Sequence, residues 1–424
     1  MTDPYSEAHA LALDAADPLL GFRSEFHIPQ LEGREQLYFC GNSLGLQPKA
    51  TAAAVSSELE DWAAYGVEAH FRGRHPWMPY HHLLREPLAA LVGAEPAEVV
   101  AMNSLTANLH LLMASFYTPS AERPAILIEA GAFPSDRHAV ESQIRFHGFD
   151  PTHDLIELAG DEPSGTVSMA ALERTLAEHG RRIALVLWPG VQYRTGQAFD
   201  LAAIARLAHA QGCMVGFDLA HAAGNLELAL HDSGADFAAW CHYKYCNSGP
   251  GAVAGAFVHA RHATTDRPRF AGWWGHQQDT RFLMGPEFVP TPGADGWQLS
   301  NPPILALAPV RASLAIFQRA GMAALREKSV RLTGYLETLI RTRLADTLDI
   351  ITPREPQRRG CQLSLRVIGG RARGRDLFET LAAQGIVGDW REPDVIRISP
   401  TPLYNRFMDV FGLVRAIEAW RAPA

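Results

Sequence analysis

The chain opens with two amphipathic helical patterns, at residues 49–65 and 82–92, separated by the turn-rich stretch GRHPWMPYHH. From Asn103 the pattern becomes an alternation. A polar start, Asn103-Ser104-Leu105-Thr106, leads into an apolar helix that runs to about Tyr117. Ala125–Ile128 is a short unbroken apolar run, and Pro134–His147 reads as the next helix. Further short apolar runs follow at Ile183–Trp188, Cys213–Asp218, Asp236–Trp240 and Val253–Val258, with helical stretches at 169–179 and 200–211 between some of them. Continuous apolar strands alternating with helices predict an α/β fold whose mostly parallel sheet is covered by helices on both faces.

The character changes after Pro302-Pro303. A long helical stretch, about Ala306–Ala345, precedes the shorter segments Gln362–Val367, Gly374–Gln384, Val395–Ser399 and Phe407–Trp420. These predict a second, smaller α/β unit. The expected division is a segment 1–50 packing with the small domain, a large domain over 51–305 and a small C-terminal domain over 306–424. No internal repeat or low-complexity stretch interrupts it.

Composition narrows the function classes. With 424 residues, 47% hydrophobic and 20% charged, the chain has the balance of a soluble globular protein able to bury a large core. The net charge of −8 and the lack of a dense Lys/Arg cluster argue against nucleic-acid binding. No apolar run nears the roughly 18 residues that span a bilayer. The acidic start, MTDPYSEAHALALDAADPLLGF, lacks the basic end and apolar centre of a signal peptide. Five cysteines, Cys40, Cys213, Cys241, Cys246 and Cys361, suit free thiols in a reducing cytoplasm. Cys241 and Cys246 flank His242 without a second ligand pair, so no metal is expected.

Ligands of open α/β sheets sit beyond the carboxyl ends of the strands, so polar residues just after each apolar run are the candidates. Lys244 lies in His242-Tyr243-Lys244-Tyr245, directly after one such run and before Asn247-Ser248-Gly249-Pro250-Gly251. A lysine among aromatics at a strand end can be desolvated into a nucleophilic amine, although most isolated loop lysines are simply solvated. Asp218 ends another run, and a carboxylate there needs a cationic or hydrogen-bonding partner. A lysine and an aspartate so placed are the pair a pyridoxal-phosphate site needs, one to bond the cofactor and one to keep its ring nitrogen protonated. Ser104 and Thr106 at a helix start serve either as ordinary caps or, with the helix dipole, as a phosphate cradle. Neither a P-loop nor a dinucleotide-binding glycine fingerprint is present.

The order of helix-start Ser/Thr, Phe133 after a strand, Asp218-x-x-His221, Lys244 and a late Arg397 resembles fold-type-I pyridoxal-phosphate enzymes. Longer words resemble the kynureninase family: YFCGNSLGLQP at 38–48, RHPW at 74–77, FPSD at 133–136 and GVQYRTGQ at 190–197. DLAH at 218–221, GWWGH at 272–276, SNPP at 300–303 and RISPTPLYN at 397–405 continue the likeness over nearly the whole chain. The resemblance implies pyridoxal 5'-phosphate as cofactor. It also implies hydrolysis of L-kynurenine, with 3-hydroxy-L-kynurenine as a second substrate, to anthranilate or 3-hydroxyanthranilate and L-alanine.

It further implies roles. Lys244 would hold the cofactor and move protons, Asp218 would pair with the ring nitrogen, and Phe133 would stack on the ring. Leu105 and Thr106 would hold the phosphate, and His221 and Asp136 would make polar contacts. Tyr243, with its phenol pKa depressed by nearby cations, would protonate the β-carbon. Arg397 would clamp the α-carboxylate. Trp273 and Asn301 would reach the cofactor and substrate from the partner of a homodimer, and Ser43, His70 and Trp274 would form the aryl-ketone pocket. In the related cysteine desulfurases the residue before the lysine resembles histidine, not tyrosine. Cys361, the only cysteine in the C-terminal third, begins a predicted strand, a poor place for a mobile nucleophile.

Overall fold

The computed structural model describes residues 3–161 and 163–421. The longer helices of the first three hundred residues are α1 (Glu7–Ala15), α2 (Ala50–Tyr65), α3 (Arg85–Val92), α4 (Leu105–Phe116), α5 (Pro134–Phe146), α6 (Met169–His179) and α7 (Leu201–Ala210). Seven strands form the large sheet: β1 (Val99–Ala101), β2 (Ala125–Glu129), β3 (Leu155–Leu158), β4 (Ile183–Pro189), β5 (Met214–Asp218), β6 (Phe237–Trp240) and β7 (Gly255–Val258). Their spatial order is β1-β7-β6-β5-β4-β2-β3. The pairs from β6 through β3 are parallel, and β7 runs antiparallel to both β6 and β1. Alternation within β2 explains its unbroken hydrophobicity. Ala125 and Leu127 point into one core cluster, Ile126 and Ile128 into another on the opposite face.

The helical stretch after Pro303 is two helices, α8 (Ile304–Ala320) and α9 (Met322–Arg343). Gly321, at φ +74°, turns the chain between them through a conformation that L side chains rarely adopt. Four short antiparallel strands follow in the spatial order β8-β9-β11-β10. They are β8 (Leu348–Ile350), β9 (Leu363–Val367), β10 (Asp389–Arg391) and β11 (Val395–Ile398). Helices α9, α10 (Arg371–Ala383) and α11 (Phe407–Arg421) build a separate core with this sheet, through Leu336, Leu377, Leu413 and Val414.

The first fifty residues are shared between the two cores rather than given to the smaller one. Ala10 and Phe39 join the small core, while Leu19, Phe26 and Leu46 join the large one. Leu37–Tyr38 pairs in parallel with Ile386–Val387. The Asp14 carboxylate accepts from the backbone N–H groups of Phe407 (2.7 Å) and Met408 (3.1 Å), where it caps α11. Asp17 meets Lys328 of α9 at 2.7 Å, a pair buried on both sides.

Candidate active site

A cavity of about 180 Å³ opens at the carboxyl edge of the large sheet. Its lining includes Glu129 at the end of β2, Pro189 at the end of β4 and Asp218 at the end of β5. Ser104, Thr106, Phe133, Asp136, His221, Tyr243 and Lys244 complete its functional wall.

The turn carrying Lys244 is pinned from two sides. Trp240 Nε1 donates to His242 Nε2 at 2.8 Å, which leaves His242 Nδ1 to donate to the Val253 carbonyl. Both bonds require the neutral ring, and burial lowers its pKa to about 4. From the other side Gly45 donates its N–H to the Tyr243 carbonyl at 2.8 Å. A Cβ at Gly45 would lie 2.3 Å from the Lys244 carbonyl oxygen, so only glycine allows this approach. The GNSLGL segment therefore buttresses the lysine turn.

Lys244 Nζ lies 3.1 Å from His221 Nε2. The amine is 5.9 Å from the Phe133 ring centroid and 5.7 Å from that of Tyr243. His221 is buried, and burial first, then Lys244, pushes its pKa well below the usual imidazole range. The ring is thus a neutral acceptor for the lysine. Asp218 Oδ1 accepts from the Ala220 N–H at 2.6 Å, which fixes the carboxylate at the strand end.

Ser104 precedes α4 in an extended conformation, and its side chain makes no capping bond. The first N–H groups of that helix and the hydroxyl remain available at the cavity. Thr106 Oγ1 and Ser135 Oγ are 2.8 Å apart and both line it. Asn103, at φ +49°, makes the sharp entry into α4, and its side chain donates to Asn108 at 3.0 Å.

Three buried carboxyls face this space. Burial raises the Glu129 pKa to about 8, a hydrogen bond from Gln192 opposing and Asp218 adding to the shift. Burial, and then the Asp218 charge, raise Asp136 well above the carboxylate range. Asp136 Oδ1 and His221 Nδ1 have no hydrogen-bond partner among the described residues. Lys244 is the one lysine or arginine among the residues lining the cavity. An anion cradle at one end, an aromatic wall, an amine, and carboxyls short of cations at the other end fit pyridoxal phosphate.

Sequence reasoning missed several lining residues. Ser135 lies inside the FPSD word, between two that were selected. Tyr193 lies in GVQYRTGQ, and its ring stands edge-on to Phe133 at 5.3 Å and 82°. Glu129, like Asp218, is a carboxylate ending a buried apolar strand, so the same criterion applies to it.

Other selected residues lie elsewhere in the chain. Trp274 is fully buried with the Arg281 guanidinium 4.3 Å from its ring. The His70 ring packs edge-on to Trp77 at 5.3 Å, and Ser43 donates its N–H to the Cys40 carbonyl. Asn301 and Trp273 are exposed, and Trp273 Nε1 donates to the Arg281 carbonyl. None of these five lines the cavity. Arg397 is fully buried; it pairs with Asp389 and donates to the Tyr193 carbonyl at 2.8 Å. The Tyr243 phenol departs from expectation. Burial pushes its pKa up, and Cys241 and Asp218 add to the shift.

The fold and this site define a fold-type-I pyridoxal-phosphate enzyme. Solved structures agree on the fold. The cystine C-S lyase C-DES, as a K223A mutant with glycine covalently linked to its PLP cofactor, superposes with a TM-score of 0.75. It is 20% identical and covers 93% of this chain and 98% of its own. The apo cysteine desulfurase of Thermococcus onnurineus NA1 gives a TM-score of 0.72 at 18% identity, covering 91% and 94%. The particular family comes from closer relatives. A kynureninase of Xanthomonas euvesicatoria pv. vesicatoria (strain 85-10) is 68% identical over the full length of both chains. One from Stenotrophomonas maltophilia (strain K279a) is 66% identical over 99% of each. A family model described as the kynureninase C-terminal domain matches residues 325–417. The chain belongs to the kynureninase family.

Proposed function

We propose that this protein hydrolyses L-kynurenine, and 3-hydroxy-L-kynurenine, between Cβ and Cγ, giving anthranilate or 3-hydroxyanthranilate and L-alanine in tryptophan catabolism. The observation that carries the reading is the meeting of Lys244, Asp218 and Phe133 in one cavity with the free start of α4. When bound, pyridoxal phosphate supplies an electron sink for the pair released at the substrate Cα. Leu105 and Thr106 hold its phosphate through backbone N–H groups and a hydroxyl. Phe133 covers the ring face, and Asp218 keeps a proton on the ring nitrogen, with Asp136 and His221 as polar neighbours. Lys244 anchors the cofactor and takes the Cα proton. Neutral His221, an acceptor 3.1 Å away, orients the amine. Water adds to the γ-carbonyl, the Cβ–Cγ bond breaks, and the water oxygen leaves in the arylcarboxylate. Tyr243 then gives a proton to Cβ; burial raises its pKa and so makes the phenol a weaker acid than the resemblance implies, while leaving it protonated at neutral pH. Arg397 takes the α-carboxylate.

The remaining assignments extend beyond one chain. Trp273 and Asn301 contribute from the partner of a homodimer with shared sites, and Ser43, His70 and Trp274 border the aryl group there. Exposed Phe270, Trp273, Phe282, Leu283 and Met284 support such a partner, because exposed apolar clusters of this kind mark association surfaces. Among the described residues no helix is long and apolar enough to cross a membrane, and all five cysteines are free. We place the protein in the cytoplasm.

The rival within this fold is a desulfurase, which needs an accessible thiolate. Burial pushes the Cys361 thiol up to about 12, and the partly exposed Cys40 rises to about 11. Neither suits that chemistry. The test is to mix the cofactor-loaded protein with L-kynurenine and follow anthranilate fluorescence and alanine. Matched release is expected; silence on both kynurenines would overturn the assignment.

A further inference from the structure

The small sheet turns one polar face toward the large unit, and strand geometry builds it. Asp389 of β10 lies directly opposite Arg397 of β11, and Arg391 lies two residues beyond Asp389 on the same face. Their side chains converge. Asp389 Oδ2 accepts from Arg397 Nη2 and, at 3.0 Å, from Arg391 Nη2. Arg397 Nη1 donates to the Tyr193 carbonyl at 2.8 Å. With its amide oxygen turned toward the guanidinium, Asn42 accepts from Arg397 Nε at 3.1 Å. Gln362, just before β9, donates to the same Tyr193 carbonyl at 3.0 Å.

Two features set this cluster apart from an ordinary buried ion pair. First, it does not balance: two guanidiniums against one carboxylate leave one positive charge. Water at the partly exposed Arg391 compensates that surplus only in part, which favours an anion beside the cluster. Second, the two arginines differ. Arg397 is fully buried with three of its N–H groups engaged, whereas the Arg391 side chain is a third exposed and its Nε has no partner. Burial first and then Lys244 lower the His221 pKa, and the charges of Arg397 and Arg391 add to that shift. The other titratable groups facing the cluster are Tyr38, Cys40 and Tyr245.

We infer that Arg391, Asp389 and Arg397 form a single carboxylate-recognition unit, in which Asp389 is a positioning residue that fixes the guanidinium of Arg397 and Arg391 supplies the unbalanced charge. The inference rests on the reading above that Arg397 takes the substrate's α-carboxylate. One carboxylate sets the rotamers of both arginines, and the net charge of the unit is equal and opposite to that of the carboxylate it must receive. A role in charge screening alone would make the opposite prediction, because removing the Asp389 charge would then strengthen carboxylate binding.

The test uses full-length holoenzyme carrying Asp389→Asn, assayed on L-kynurenine and with o-aminoacetophenone, an aryl ketone without the α-carboxylate, as inhibitor. Positioning predicts a KM raised about tenfold or more, kcat within about threefold, and unchanged inhibition by the ketone. A KM that is unchanged or lowered overturns the inference, and so does an equal loss of affinity for the ketone. If that variant does not fold, Arg391→Gln at its partly exposed site decides the matter, with a KM rise of about three- to tenfold expected and no change overturning the unit. Arg397→Lys run in parallel separates the two readings. No change there would remove the role of Arg397 itself, whereas a raised KM there beside a wild-type KM in Asp389→Asn would sink only the present inference.

Discussion

The large sheet carries buried carboxyls at both of its edges, one at the amino edge and three at the carboxyl edge, and the two sets are built oppositely. At the amino edge Asp236, just before β6, is fully satisfied. His209 (2.9 Å), His262 (2.8 Å), Arg261 (2.6 Å) and the Val215 N–H (2.7 Å) all reach its two oxygens. Burial alone would raise its pKa, but the hydrogen bonds from His209, His262 and Arg261 outweigh that and hold the carboxyl well below its ordinary range. At the carboxyl edge Glu129, Asp136 and Asp218 share one lysine, and two of the three are pushed toward protonation. One edge spends its charges on stability. The other stays electrostatically incomplete, as a ligand site must.

The contrast breaks most sharply at Lys244. Lys244→Ala should abolish turnover and the absorbance of bound cofactor, while the circular dichroism spectrum and melting temperature stay near wild type. Retained activity would end the assignment. Tyr243→Phe should still bind cofactor but form product about 10²–10⁴-fold more slowly, and an unchanged steady-state rate would remove its acid role. At the opposite edge Asp236→Asn should do the reverse, costing about 3–5 kcal/mol in urea unfolding while the folded fraction keeps its specific activity. The pH dependence follows from the sign of the shift. A depressed carboxyl contributes stability above its unfolded pKa and loses it as pH falls, so the acid-side loss of stability should be smaller in Asp236→Asn.

The smallest effect is at Glu129, and it runs the other way. A carboxyl raised to about 8 binds more protons folded than unfolded, so stability falls as pH rises from about 4.5 to 8 and is level above. Glu129→Gln should flatten that slope and stabilise the apoprotein at pH 8 by about 1–3 kcal/mol. A steeper slope would show that Glu129 is ionised in the fold.

How much of this was legible in the sequence depends on what each signal measures. Long periodic segments read well: the helix expected at 169–179 is Met169–His179, and the apolar run Ile183–Trp188 is β4. Strands of three or four residues, such as β3, β8 and β10, carry too few positions to show a period. The helical stretch expected at about 306–345 is helical, broken in two at Gly321, a visible breaker in otherwise continuous helical chemistry. In the site, Lys244, Asp218, Thr106 and Phe133 meet in one cavity because strand ends and helix starts fix them locally. Asp389 escaped notice because its meaning comes from the residue across the sheet, and pairing register is not written in either strand alone. The expected depression of Tyr243 failed for a similar reason, since burial is a property of the whole fold.

Asp14 has one more consequence. It supplies the cap of α11, a helix whose first residue lies 393 positions later. During synthesis α1 leaves the ribosome long before its partner exists, and must wait, undocked, while the large sheet assembles. The small core therefore closes only once α11 has emerged. A stall before α11 is made would leave a chain with a folded sheet and an exposed α1, the state a chaperone would find.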